Sequence, residues 1–208
     1  MIRVLLADDH PVVRKGLCLI LAGCEGIEVA GEASDAPETL ALLAQKPVDV
    51  LVLDIGMPGR SGLELLQELR QSYPKLPVLI LSQYPEEQIA VRAIRAGAAG
   101  YLNKESAPEQ LVDAVRRVHQ GRRFLTETLA ELLAVSIEGG TAEPHQALSD
   151  REYQVFRMIA SGKTVSDIAG EISLSVKTVS TYRTRILEKM NLKNNSELTR
   201  YAIQNKLV

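Results

Sequence analysis

The sequence has only two cysteines, Cys18 and Cys24, and no Cys/His metal spacing. That excludes a disulfide framework and a zinc site, and it reads both thiols as spectators in a reducing cytosol. No apolar run approaches the roughly 20 residues of a membrane span. The N-terminus, MIRVLLADDH, turns acidic after a few apolar residues, so no secretory leader is expected. There is no GxSxG, no Walker-type glycine loop, no internal repeat and no low-complexity tract. What remains fits a globular cytoplasmic chain of 208 residues, with room for two modest domains.

Charge is divided unevenly. Residues 148–208 hold 10 Lys/Arg against 6 Asp/Glu, or +4, whereas residues 1–147 hold 14 against 20, or −6. A basic tail behind an acidic head suggests partners of opposite sign, with nucleic acid a candidate for the tail.

Short continuous apolar runs at 4–7, 27–33, 48–53, 78–81 and 100–102 read as strands buried on both faces. Between and after them lie helical patterns at about 12–22, 38–45, 62–72, 86–96 and 108–120. Pro37 and Pro108 sit where a first helical turn tolerates proline. The alternation predicts a flavodoxin-like (βα)5 domain over residues 1–121, with a parallel sheet in the order 2-1-3-4-5. Residues 122–147 read as a connecting segment that carries a helix at 125–137, and EGGTAEPHQA, 138–147, is its aperiodic part. The tail, 148–208, reads as a small all-α domain of four short helices. SDRE opens the first as a capping box, Ser175 caps the third, and a tight turn between the second and third gives helix-turn-helix geometry.

The stretch LDIGMPG, 53–59, puts a lone aspartate at the end of the third strand. An aspartate in such a place is usually a turn-former. In a parallel sheet, however, strand C-termini share one edge, where ligands bind. The first strand ends there in Asp8-Asp9, the third in Asp54, the fourth in Ser82 and the fifth near Lys104. Three convergent carboxylates repel one another unless a cation sits among them, and a hard oxygen cluster suits Mg²⁺. Metal, lysine, hydroxyl and one forward aspartate describe a phosphoryl-transfer site with Asp54 as nucleophile. His10 stands beside the acidic pair and reads as a solvated loop histidine sooner than a metal-tuning one. His119 and His145 read as surface residues.

DDH, LDIGMPG, LS and AGAAGYLNK, in this order and spacing, resemble the receiver domain of bacterial response regulators. The resemblance implies that Asp54 is the phosphoacceptor, Asp8 and Asp9 the acidic pair, Ser82 the switch hydroxyl and Lys104 the site lysine. It further implies that Tyr101 is the switch aromatic and that the Gly56 carbonyl is a metal ligand. One departure is Glu105, where many receivers place proline. It leaves the geometry of the Lys104–Glu105 peptide open.

LSDRE, IASGKTVSDIA, LSVKTVSTY and KMNLKNNSEL resemble the LuxR-type DNA-binding domain of the NarL/FixJ subfamily. At about 100° per residue, Val179, Tyr182, Ile186 and Met190 face inward on the third tail helix. Lys177, Thr181 and Thr184 face outward, with Ser180 on the flank. The DNA-contact candidates are Lys177, Thr178, Ser180, Thr181, Arg183, Thr184 and Arg185. Lysine and arginine suit phosphates, and hydroxyls can reach bases.

The reading is a regulator that takes a phosphoryl group from a sensor histidine kinase, binds double-stranded DNA, and dimerises when phosphorylated or DNA-bound. Its chemistry is confined to its own Mg²⁺-dependent phosphorylation and dephosphorylation, so it is not expected to be a conventional enzyme. Two rivals stay open. One is an Asp-nucleophile phosphotransfer enzyme, although Gly56 stands where that chemistry wants a second aspartate. The other is a signalling scaffold that binds protein and not DNA.

Overall fold

The structure is a computed structural model that describes residues 1–57, 61–84, 86–137, 143–205 and 207–208. It comprises two compact units, Met1–Ile137 and Glu138–Val208. None of the described helices is long and apolar enough to cross a membrane.

In the first unit, strands β1 (Ile2–Ala7), β2 (Ile27–Ala33), β3 (Val50–Asp54), β4 (Val78–Ser82) and β5 (Gly100–Asn103) form one sheet. The order is β2-β1-β3-β4-β5 and every pairing is parallel. The expected topology is thus observed, and the reason lies in the strands' composition. In β3, Leu51 and Leu53 enter one core while Val50 and Val52 enter the other. In β4, Val78 and Ile80 divide from Leu79 and Leu81 in the same way. A continuous apolar run is what a strand needs when helices cover both faces. Helices α1 (Pro11–Ala22) and α5 (Ala107–His119) line one face; α2 (Ala36–Gln45), α3 (Gly62–Ser72) and α4 (Glu86–Arg95) line the other. Each fully buried leucine contributes roughly 1.5–3 kcal/mol relative to exposure.

The expected connecting segment, 122–147, divides. Phe124 N–H donates to Ala99 O at 3.0 Å, and Phe124 bridges Gly100 in parallel, which covers the outer edge of β5. A Cβ on Gly100 would lie 2.7 Å from Phe124 O, so only glycine permits this approach. Helix α6 (Glu127–Ile137) follows. Thr126 Oγ1 accepts from Leu129 N at 3.2 Å and donates to the Glu86 carboxylate, while Leu129 is fully buried in the same core as α4. This helix therefore folds with the first unit. Of the aperiodic stretch, 138–142 lies outside the described residues.

The second unit contains a short 3₁₀ turn at Pro144–Ala147 and helices α7 (Asp150–Ala160), α8 (Val165–Glu171), α9 (Val176–Lys189) and α10 (Asn195–Gln204). Ser149, Thr164, Ser175 and Asn194 cap them by accepting from the backbone three residues on. The α8–α9 connection is tight, with Ser173 in the left-handed region at φ 54°. Tyr153, Phe156, Ile168, Val179, Ile186, Leu198 and Ala202 form the core. His145, expected at the surface, is half-buried: its Nδ1 lies 2.9 Å from Tyr201 Oη, and Tyr153 packs near its ring. Both cysteines are half-buried, and burial, aided by Glu32, pushes the Cys18 thiol up to about 11.

A clamp joins the starts of β1 and β3. Asp49 accepts from Arg3 N at 2.8 Å, Arg3 Nε at 2.9 Å and an Arg3 terminal nitrogen at 2.7 Å. The Arg3 side-chain hydrogen bond is the main reason the Asp49 carboxyl is held down at about 2. A carboxylate depressed in the folded state stabilises above its unfolded pKa of about 4, and that stability is lost as pH falls through about 2. Asp49→Asn is therefore expected to lower the urea midpoint at pH 7. Its deficit relative to the parent should close as pH drops from about 4 toward 2. A deficit independent of pH would refute the assignment.

Candidate functional site

β1 and β3 are neighbours, with Ala7 opposite Leu53. The residues that follow each pair, Asp8 and Asp54, consequently emerge side by side at the C-terminal edge, and both are only 2% exposed. Lys104 follows β5, where its N–H donates to Ser82 O at 2.7 Å and extends the ladder by one residue. Its Nζ stands 2.8 Å from Asp8 Oδ2 and 2.8 Å from Asp54 Oδ2. Burial, with the Asp8 charge adding to it, pushes the Asp54 carboxyl up to about 6 against the opposing Lys104 and Gly56 N–H. Burial alone would lower the Lys104 pKa, but Asp54 and Asp8 hold it above its ordinary value, so the ammonium is retained.

Asp9 is less buried than Asp8. The His10 Nδ1 lies 2.8 Å from Asp9 Oδ1, 3.2 Å from Asp8 Oδ1 and 3.3 Å from Lys104 Nζ. His10 is exposed, as expected, yet its ring edge belongs to the cluster. One atom from each of Asp8, Asp9, His10 and Asp54 lies within 4.8 Å of the others. Three carboxylates facing a single ammonium leave an excess of negative charge, and their hard oxygens fit a small divalent cation. Gly56 N–H donates to Asp54 Oδ1 at 2.9 Å, which places Gly56 against the cluster. Pro58 and Gly59 of LDIGMPG lie outside the described residues.

Ser82, at the end of β4, is buried and its Oγ accepts from Tyr84 N at 3.1 Å. Tyr101 is fully buried with its ring turned inward, and its hydroxyl donates to Tyr84 O at 2.6 Å. The two expected switch residues thus meet at Tyr84. The described residues include no cis peptide, so Lys104–Glu105 is trans.

Tyr84 escaped the sequence reading, and so did Arg14, Asn103 and Gly62. Arg14 donates to the Asp8 main-chain oxygen. Asn103 contacts both Tyr84 and Glu105. Gly62 lets α3 start directly beneath the site, because a Cβ there would be 2.3 Å from Asp54 O. The only signal available for Gly62 was a glycine at a helix start.

In α9, Val179, Ile186 and Met190 are buried and Tyr182 is half-buried, as the rotation predicted. Lys177, Ser180, Thr181, Thr184 and Arg185 are exposed. Thr178 is less free than expected: its Oγ1 lies 2.8 Å from the capping Ser175 Oγ. Arg183 Nε donates to Asn195 Oδ1 at 2.6 Å, tying α9 to the start of α10. The Thr181 and Thr184 hydroxyls donate to the carbonyls of Lys177 and Ser180, at 3.0 and 3.1 Å.

A buried acidic strand edge bridged by lysine, with a capped helix-turn-helix in a second unit, defines a receiver-plus-DNA-binding regulator, and comparison with known proteins agrees. Residues 4–116 match the response regulator receiver domain, and residues 146–202 match the bacterial regulatory proteins of the luxR family. The chain is 39% identical over 209 residues to the response regulator UvrY of Escherichia coli K12, covering 100% of this chain and 96% of that protein. It is 38% identical over 210 residues to the response regulator GacA of Pseudomonas aeruginosa, covering 100% and 98%. RcsB from Salmonella enterica serovar Typhimurium, solved bound to promoter rprA with the phosphomimetic BeF3-, superposes with a TM-score of 0.66 at 26% identity. That match covers 96% of this chain and 97% of RcsB. The chain belongs to the NarL/FixJ family of response regulators: it has a receiver domain and a LuxR-type DNA-binding domain and acts in transcription regulation.

Gly62→Ala is expected to cost about 3 kcal/mol, because the clash is with backbone and cannot be relieved by a rotamer change. Urea unfolding of the first unit reads this, and a loss below 1 kcal/mol would show that α3 can withdraw from Asp54.

Proposed function

We propose that Asp54 is the phosphoacceptor and that α9 is the recognition helix. The observation that carries the first assignment is the Lys104 ammonium, 2.8 Å from both Asp54 and Asp8 on a buried edge with excess carboxylate. Mg²⁺ would be held by Asp8, Asp9, Asp54 and the Gly56 carbonyl, and when bound it neutralises phosphoryl oxygens. Asp54 supplies the attacking carboxylate oxygen. The phosphorus–nitrogen bond of a phosphohistidine on the sensor kinase breaks, and its electron pair returns to the imidazole nitrogen. Lys104 exchanges part of its pairing with Asp54 for the transferred oxygens, so charge stays compensated as the carboxylate becomes an acyl phosphate. Ser82 donates a hydrogen bond from its hydroxyl to one of those oxygens, which withdraws its Oγ from Tyr84 N.

The phosphorylated cytoplasmic protein then binds paired DNA half-sites as a homodimer. Lys177 and Arg185 contact phosphates, and Ser180, Thr181 and Thr184 meet base edges. Arg183 and Thr178 support α9 through Asn195 and Ser175 and contribute less directly.

Acetyl phosphate with Mg²⁺ should add one phosphoryl group by intact-mass measurement, and Asp54→Ala should accept none. Full modification of that variant would overturn the assignment. For DNA, Lys177→Ala should weaken binding to all sequences alike and flatten the salt dependence by about one unit. Thr181→Ala should change sequence preference by about 1 kcal/mol, the low end for one base contact. Equal losses on specific and random duplexes would move Thr181 to the backbone.

A further inference from the structure

Asn103, the last residue of β5, is used by neither assignment above, yet its side chain spans two loops of the site. Its Oδ1 accepts from Glu105 N at 2.8 Å, and its Nδ2 donates to Tyr84 O at 3.3 Å. Each bond leads to the reacting centre. Glu105 follows Lys104, whose ammonium bridges Asp8 and Asp54. Tyr84 offers its N–H to Ser82 Oγ at 3.1 Å, and its carbonyl also receives the Tyr101 hydroxyl at 2.6 Å.

Tyr84 O therefore receives, among the described residues, one donor from the switch aromatic and one from the residue that precedes the site lysine. The Asn103–Glu105 bond joins a side chain to the backbone two residues on, a turn that fixes the chain on either side of Lys104. It requires an N–H at position 105, which glutamate has and proline lacks. Asn103 is half-buried, so these bonds are shielded from full competition by water.

We infer that Asn103 is a positioning residue: its bond from Glu105 N–H fixes the turn that carries Lys104, and its bond to Tyr84 O relays movement of Tyr84 to the lysine. When Ser82 Oγ leaves Tyr84 N, the peptide of Tyr84 shifts, and Tyr101 and Asn103 sense it through the same oxygen. The relay rests on Asp54 as phosphoacceptor; the positioning does not.

The test uses the full chain and two substitutions. Asn103→Leu removes both hydrogen bonds. Asn103→Ser keeps an acceptor for Glu105 N–H but is too short to reach Tyr84 O. Without any phosphodonor, amide exchange at Glu105 should quicken roughly three- to tenfold in the leucine variant, the loss of one hydrogen bond, and stay near the parent rate in the serine variant. Phosphorylation by acetyl phosphate with Mg²⁺ should slow severalfold in the leucine variant and much less in the serine variant. On beryllofluoride with Mg²⁺, the Glu105 amide resonance should shift in the parent and stay fixed in both variants. Unchanged Glu105 exchange in the leucine variant, or equal impairment of the two variants, overturns the positioning. A Glu105 response retained in both overturns the relay. Phosphorylation that persists in Asp54→Ala would instead fault the phosphoacceptor reading, and the exchange measurement would still decide the positioning.

Discussion

The ammonium of Lys104 between Asp8 and Asp54 is the contact on which the first unit's C-terminal edge depends. Two carboxylates about 4 Å apart at an effective dielectric of about 20 repel by on the order of 4 kcal/mol. That is a large fraction of the net stability of a small domain. The parallel pairing of β1 with β3 forces Asp8 and Asp54 together, and the β4–β5 ladder delivers the cation that makes this tolerable. Topology thus creates both the strain and its partial relief. The remaining negative charge makes the edge compatible with a small divalent cation.

Around this contact the fold keeps the backbone close and the side chains short of alternatives. Gly62 allows α3 to begin against the main chain of Asp54, and the Ser61–Glu64 capping box holds that start in place. Tyr101 is turned fully inward, and Tyr84 is the point where its hydroxyl, Asn103 and Ser82 converge. On the same side of the sheet, α6 covers part of α4 through Leu129 and the Thr126–Glu86 bond. What surrounds the acidic edge is therefore connected by hydrogen bonds that a displaced Ser82 must rearrange.

Much of this was legible in the sequence, for identifiable reasons. Strands β3 and β4 read clearly because residues feeding two opposed cores leave no polar position in the run. Asp8, Asp54, Ser82 and Lys104 could be placed at one edge because strand ends in a parallel sheet share it. What escaped depends on partners distant in sequence. Asn103 meets Tyr84 across 19 residues, and His145 is half-buried by Tyr153 and Tyr201, which no local pattern announces. The helical rotation of α9 sorted its buried side correctly but could not see that Arg183 turns to Asn195 or that Thr178 turns to its own cap. Phe124 closes the β5 edge only because Gly100 has no side chain, a complementarity invisible in either residue alone.

Glu152 is almost wholly buried at the start of α7, where its Oε2 accepts from Ser149 N at 2.7 Å and from Lys189 Nζ at 2.6 Å. Burial tends to raise its carboxyl pKa, but Lys189 and Ser149 hold it below the ordinary value. One oxygen thereby secures the first turn of the domain's opening helix and the last turn of α9. Fraying of the last turn of α9 would leave the buried Glu152 charge without its ammonium partner. The two helices are thus coupled through this one oxygen, and the orientation of α9 within the second unit is inherited from the segment that begins the domain.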